Sequence, residues 1–131
     1  MAAGESYPED LRYHPEHDWA RIDGEEATVG ITWFAQDSLG ELVHFEPAEV
    51  GATVAKDAAA GEVESVKAVS DVIAPLSGEV VEVNQKAVEE PEIVNEDPYG
   101  EGWLMRIRIA DPSEADSLMD AAGYRAHVES Q

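Results

Sequence analysis

The feature that most restricts how this chain can fold is a succession of short β-favouring runs, each closed by Gly, Pro or Asp-Gly. Residues 19–22 (WARI) and 26–31 (EATVGI) flank Asp23-Gly24, a strong hairpin-turn signal. LVHF (42–45) predicts the next strand and Pro47 stops it. EVESV (62–66) and AVSDVI (68–73) meet at Lys67, and EVVEVN (79–84) and GWLMRIRIA (102–110) follow. In EVVEVN a strict two-residue period puts Val81 and Val83 on one face and excludes Val80 from sharing it with Val83. Thr32 is positioned to cap a short helical stretch over 32–39, with Trp33, Phe34 and Leu39 turned inward. Two glycine-led units, GATVAKDAAAGEVES and SGEVVEVNQK, suggest a faint internal repeat.

The period changes near the C-terminus. Asp111-Pro112 reads as a helix start, with Leu118, Met119 and Ala122 as its apolar stripe. Gly123 reads as its C-cap, and a second short helix is expected over 124–129. Residues 1–10 read as a flexible polar tail and 111–130 as a helical segment, in one domain spanning 1–131. The fold class is mainly β: a small β-sandwich with short flanking helices.

Composition narrows the function classes. The 131 residues include 29 acidic and 8 basic ones, a net charge of -21. No basic footprint for nucleic acid can be assembled, and an anionic membrane surface is disfavoured for the same reason. The acidity is compatible with solubility, with a salty cytoplasm, or with steering toward basic patches on partners. There is no cysteine, which excludes disulfides and thiolate chemistry. No segment looks like a targeting signal, and none reaches the ~18 apolar residues of a membrane span. A cytoplasmic location is expected. The four histidines include His14 and His17, three apart with no further ligand nearby in sequence, so no metal site is expected. Serines at 65, 70 and 77 lack a nucleophile elbow.

Of three lysines, Lys56 and Lys86 have ordinary solvated surroundings. Lys67 interrupts Val63-Glu64-Ser65-Val66-Lys67-Ala68-Val69, so pairing of the flanking runs puts it at a hairpin tip. A lone lysine there is ordinarily solvated and blocks edge pairing. The same geometry suits a modified lysine, because a ligase needs a protruding amine on a rigid mount.

GEVESVKAVSDVIAPLSGEVVEVN (61–84) resembles the lipoyl-attachment segment of the H proteins of the glycine cleavage system. HPEHDW (14–19), VGITWFAQDSLGELVHFEPAEVG (29–51) and NEDPYGEGWL (95–104) resemble that family's other segments, in the same order, over roughly residues 11 to 125. The resemblance implies a lipoyl-domain-like barrel-sandwich hybrid and a non-catalytic carrier. It implies lipoate in amide linkage to Lys67, attached by a lipoate ligase or a lipoyl/octanoyl transferase. The implied partners are glycine decarboxylase (the P protein), an aminomethyltransferase (the T protein) and dihydrolipoamide dehydrogenase (the L protein). It also implies a surface cleft beside the His-acidic-Trp segment that shelters the loaded arm. Asp18 and Asp71 are the candidates to pair with the arm's ammonium, Glu16 a weaker one; as residues alone, all three read equally as solvated surface acids.

The sequence departs from the family at Asp18, where a longer Glu is frequent, at Trp33-Phe34, which replaces a more polar pair, and at His44, where an apolar residue is usual. Biotin carriers use a similar hairpin lysine, but between methionines; here Val66 and Ala68 flank it. A lipoate relay to other complexes and an unmodified interaction module are the remaining readings.

Overall fold

The computed structural model describes residues 4–131. Two antiparallel sheets face each other across an apolar core. The larger contains β1 (Arg12–Tyr13), β2 (Asp18–Asp23), β3 (Glu26–Ile31), β5 (Thr53–Val54), β8 (Gly78–Val83) and β9 (Met105–Ile109), in the order β1-β2-β3-β9-β8-β5. The smaller has β6 (Ala59–Ser65) between β4 (Leu42–Pro47) and β7 (Val69–Ile73). Helices α1 (Trp33–Leu39), α2 (Gln85–Glu89), α3 (Glu92–Glu96) and α4 (Ala121–Glu129) flank them, with a 3₁₀ turn at Pro112–Ser117. Among the described residues no helix is long and apolar enough to cross a membrane.

The predicted hairpin is present: Asp23 pairs with Glu26 and Gly24 takes φ 64°. Thr32 caps α1 by accepting the N–H of Ala35. The side chain that α1 buries fully is Gln36; Trp33 and Phe34 are half-buried against an aromatic cluster and Leu39 against the main core.

The strict alternation expected of EVVEVN is corrected by a β-bulge. Val80 pairs with Ile107 and Val83 with Met105, so three residues of β8 span two of β9. The extra residue restores the phase, and Val80 and Val83 both reach the core. The same device in β4, between Leu42 and His44, lets Leu42 and Phe45 point inward while His44 stays exposed.

The C-terminal expectation is also corrected. Asp111 caps only the 3₁₀ turn, after which Met119 forms a bridge with Tyr13. Asp120 then caps α4 through the N–H of Gly123. Gly123 therefore sits in the first turn of a helix rather than ending one. Tyr124, on α4, stacks on Tyr13 and meets the edge of Tyr7. Tyr7 is 3% exposed, so the tail expected over residues 1–10 is anchored at this position; residues 1–3 lie outside the described residues.

Candidate functional site

Lys67 projects from the turn between β6 and β7. The Ser65 N–H donates to the Ala68 carbonyl at 2.8 Å, closing the hairpin. The buried Ser65 hydroxyl oxygen accepts the N–H groups of Ala68 (3.1 Å) and Lys67 (3.3 Å). The turn thus satisfies its own backbone, and the side chains at the tip are left outside. Val66 is 78% and Val69 58% exposed. Among the described residues Lys67 forms no ion pair, although the chain carries 29 carboxylates.

One wall beside Lys67 is the joint between α1 and β4. A methyl group on Gly40 would lie 3.7 Å from Lys67 Cε, an ordinary contact. Gly40 itself takes φ 83°, ψ -164°, a conformation almost restricted to glycine. Asn95 of α3 holds this joint. Its side-chain amide donates to the Gly40 carbonyl (2.8 Å) and Gln36 Oε1 (3.0 Å), and its Oδ1 accepts the Leu42 N–H (2.9 Å).

Asp18 is no surface acid. It opens β2 and is 1% exposed. Its Oδ2 accepts the N–H of Ile73, at the end of β7, at 3.3 Å, which links the two sheets. Among the described residues its Oδ1 has no hydrogen-bond partner. Burial pushes the carboxyl well above the usual range; the Ile73 N–H pulls it back in part and Glu16 adds to the rise. Strand β7 therefore runs from the Lys67 hairpin to Asp18. Asp71 lies on that strand, exposed, two residues before Ile73 and on the same face of the sheet. It pairs across the sheet with Glu62, which pairs in turn with Glu46, a row of three acids. Glu16 is exposed, and only its backbone N–H is engaged, by His14 Nδ1 at 3.0 Å. Asp18 on β2 thus contacts the end of β7, the strand that carries Asp71, and feels the charge of Glu16 on its own segment.

His14, His17 and His127 tie segments of the fold together. His14 Nδ1 accepts a hydrogen bond, so the ring proton sits on Nε2 and is donated to Asp57 Oδ1 at 2.6 Å. That bond, followed by the one from Lys56, holds Asp57 below the usual carboxylate range. His17 takes φ 75°, and its carbonyl accepts the Thr32 N–H. Its Nδ1 and Thr32 Oγ1 each lie 2.7 Å from the Tyr124 hydroxyl. Burial, and next His127, lower the His17 pKa, so the ring is neutral at pH 7. Among the described residues no group of three or more His, Asp or Glu could hold a metal ion.

Sequence reasoning missed Gly40, the Ser65 hydroxyl and Asn95. Gly40 offered a weak signal, a glycine closing an amphipathic turn; Asn95, one amide among acids, offered none.

The family model for the glycine cleavage H-protein matches residues 11–131. The glycine cleavage system H protein of Marinobacter nauticus is 53% identical over 122 residues, covering 92% of this chain and 94% of its own. That of Halorhodospira halophila is 54% identical over 122 residues, with 92% and 94% covered. A crystal structure of the Mycobacterium marinum H protein superposes with a TM-score of 0.86 at 41% identity, covering 93% of this chain and 98% of that one. The likeness runs well beyond the lysine hairpin, into the C-terminal helix: the chain belongs to the glycine cleavage H-protein family.

Proposed function

We propose that Lys67 carries lipoate in amide linkage, and that the chain moves the aminomethyl group of glycine from the P protein to the T protein and electrons to the L protein. The observation that supports this best is an exposed lysine without an ion pair, mounted on a hairpin whose backbone is satisfied by a buried serine.

The surrounding residues fit such an arm. Gly40 leaves room along the lysine stem, and the unpartnered Asp18 Oδ1 waits at the far end of β7. From Val69 to Ile73 the strand advances roughly 13 Å. An extended lysine with its acyl chain contains about ten single bonds of about 1.5 Å each, enough to cover that stretch. When bound, the dithiolane supplies the sulfur that holds the one-carbon unit and the disulfide that is reduced and reoxidised. Ser65 and Asn95 keep the lysine mount rigid for the ligase and the partners. Asp18 and Asp71 provide carboxyl groups toward a cationic cargo. Tethering concentrates the arm at each partner without tight docking.

The test is intact mass and peptide mapping after incubation with lipoate, ATP and a lipoate-protein ligase. One lipoyl increment on Lys67, absent in Lys67→Arg, is expected. A folded protein that takes no increment would refute the assignment, and an increment from biotin with biotin ligase would move it to another carrier class.

A further inference from the structure

Helix α1 stands between Lys67 and the aromatic cluster, and little in α1 itself fixes where it sits. It has seven residues, with no acid in its first turn and no base in its last, and Gln36 is the side chain it buries fully. A helix of fewer than about 12 residues is marginal on its own. Its place is therefore set by what holds its two ends. The lysine end is the Asn95 joint at Gly40, beside Lys67 Cε. The other end is held by two tyrosine hydroxyls from far along the chain.

The Tyr99 hydroxyl accepts the Trp33 N–H at 2.8 Å and donates to the Ser6 carbonyl at 2.6 Å. The buried Tyr124 hydroxyl lies 2.7 Å from Oγ1 of Thr32, the residue that caps α1, and 2.7 Å from His17 Nδ1. The Thr32 N–H donates to the His17 carbonyl at 3.0 Å. One column of backbone hydrogen bonds then leads from the cap toward the lysine. The Gln36 N–H donates to the Thr32 carbonyl at 3.1 Å, and the Gly40 N–H to the Gln36 carbonyl at 2.9 Å. The Gly40 carbonyl and the Gln36 side chain both end on Asn95. From Thr32 to Gly40 this strut spans roughly 12 Å, at about 1.5 Å per helical residue.

We propose that Tyr99 and Tyr124 are positioning residues for Lys67: acting through α1, they fix the wall along which the lysine stem lies, and so the amine that a ligase has to find. This rests on the reading of Lys67 as the lipoyl lysine. The hydroxyls complete hydrogen bonds at the start of α1 that a short helix cannot complete from within. With a hydroxyl removed, the cap frays and the shift passes down the column to Gly40. The wall yields, and the Lys67 stem gains rotamer freedom. A ligase then has to order that extra freedom on docking, while the step after docking is unchanged. The loss therefore falls on KM and spares kcat. The arrangement also makes both ends of the chain part of the lysine's mount, since Tyr99 reaches Ser6 and Tyr124 belongs to α4.

The experiment compares Tyr99→Phe and Tyr124→Phe, which each remove one oxygen and keep the ring packing. Tyr13→Phe is the control: its ring stacks on Tyr124, but its hydroxyl donates to the Pro8 carbonyl, away from α1. Two quantities are read on the folded, unlipoylated proteins. One is the order parameter of Lys67 Cε from ¹³C relaxation NMR, with Lys56 and Lys86 as internal references. The other is KM and kcat for ligation by a lipoate-protein ligase with lipoate and ATP. Both variants are expected to lower the Lys67 order parameter and to raise KM severalfold at unchanged kcat, with Lys56, Lys86 and the Tyr13→Phe protein unaffected. An unchanged Lys67 order parameter overturns the proposal, as does a fall in kcat alone. A Tyr13→Phe protein that frees Lys67 equally overturns it too, because the effect is then a general softening of the aromatic cluster. A parent protein that takes no lipoate at Lys67 overturns the carrier reading instead, and the order parameter still decides whether the tyrosines brace the lysine.

Discussion

The side-chain amide of Asn95 donates to the Gly40 carbonyl at 2.8 Å, and Gly40 forms the wall along which the Lys67 stem lies. A short helix remote in sequence from the lysine therefore sets the shape of its mount. Asn95 is 9% exposed and joins α1, β4 and α3 through three hydrogen bonds. Asn95→Ala leaves the Leu42 N–H, the Gly40 carbonyl and Gln36 without these partners. The expected loss is about 2–4 kcal/mol, from unsatisfied buried groups at about 1–3 kcal/mol each with partial relaxation. Urea denaturation reads it. Lipoylation of the folded fraction is expected to slow as the joint loosens; an unchanged rate would show that the joint does not support the lysine.

Gly40→Ala tests the same wall from the backbone side. The added methyl meets Lys67 Cε at an ordinary 3.7 Å, so crowding is not the difficulty. The backbone at φ 83°, ψ -164° is. Such a conformation costs a residue with a Cβ about 1–3 kcal/mol. Thermal unfolding should show that loss, while ligation on the folded protein proceeds if the joint keeps its shape.

Ser65→Ala removes the hydroxyl that accepts from both Lys67 and Ala68. The turn N–H groups lie near solvent and water replaces the serine, so the stability cost is small, about 0.5–1.5 kcal/mol. The local effect is larger. Amide hydrogen exchange at residues 67 and 68 is expected to accelerate well beyond the global change; equal acceleration across the hairpin would show that the hydroxyl does not staple the tip.

Asp18→Asn should change how stability depends on pH. The folded protein holds the Asp18 proton more tightly than the unfolded chain does. Its contribution is therefore fully present below the ordinary carboxylate range and is lost as pH rises through the raised folded value. Asn keeps the acceptor for the Ile73 N–H and cannot ionise. The difference in melting temperature, variant minus parent, should rise from acid to alkaline pH. His17, whose pKa is lowered in the fold, works the other way in both proteins, since its contribution is lost as pH falls through the ordinary histidine value, and it cancels in the difference. A difference that is flat with pH would show that the Asp18 carboxyl titrates alike in the folded and the unfolded chain.

The β pattern was legible because its causes are local. Gly24, at positive φ, makes a two-residue loop with Glu25 between the paired Asp23 and Glu26, and the runs beside Lys67 pair because little chain separates them. The phase of EVVEVN was not legible. Its bulge exists because Val80 and Val83 both find core partners on β9, more than twenty residues on. The helix boundaries after Asp111 failed for a similar reason: a bridge from Met119 to Tyr13 interrupts a stretch whose local signals favour one helix.

By itself the sequence determined the longer strands along the chain, though not the two-residue β1 and β5, the hairpin that carries Lys67 and, through its resemblance, the family. These depend on turn chemistry, period and residue order, all of which are written locally. Only the tertiary structure decided what surrounds the lysine and what state the acids take. Asp18 and Asp71 are the same residue type in the same acidic chain, yet one is sealed between two sheets with an unpartnered oxygen and the other stands in solvent. Burial is a property of the packed sheets, and burial sets the charge a carboxyl can hold.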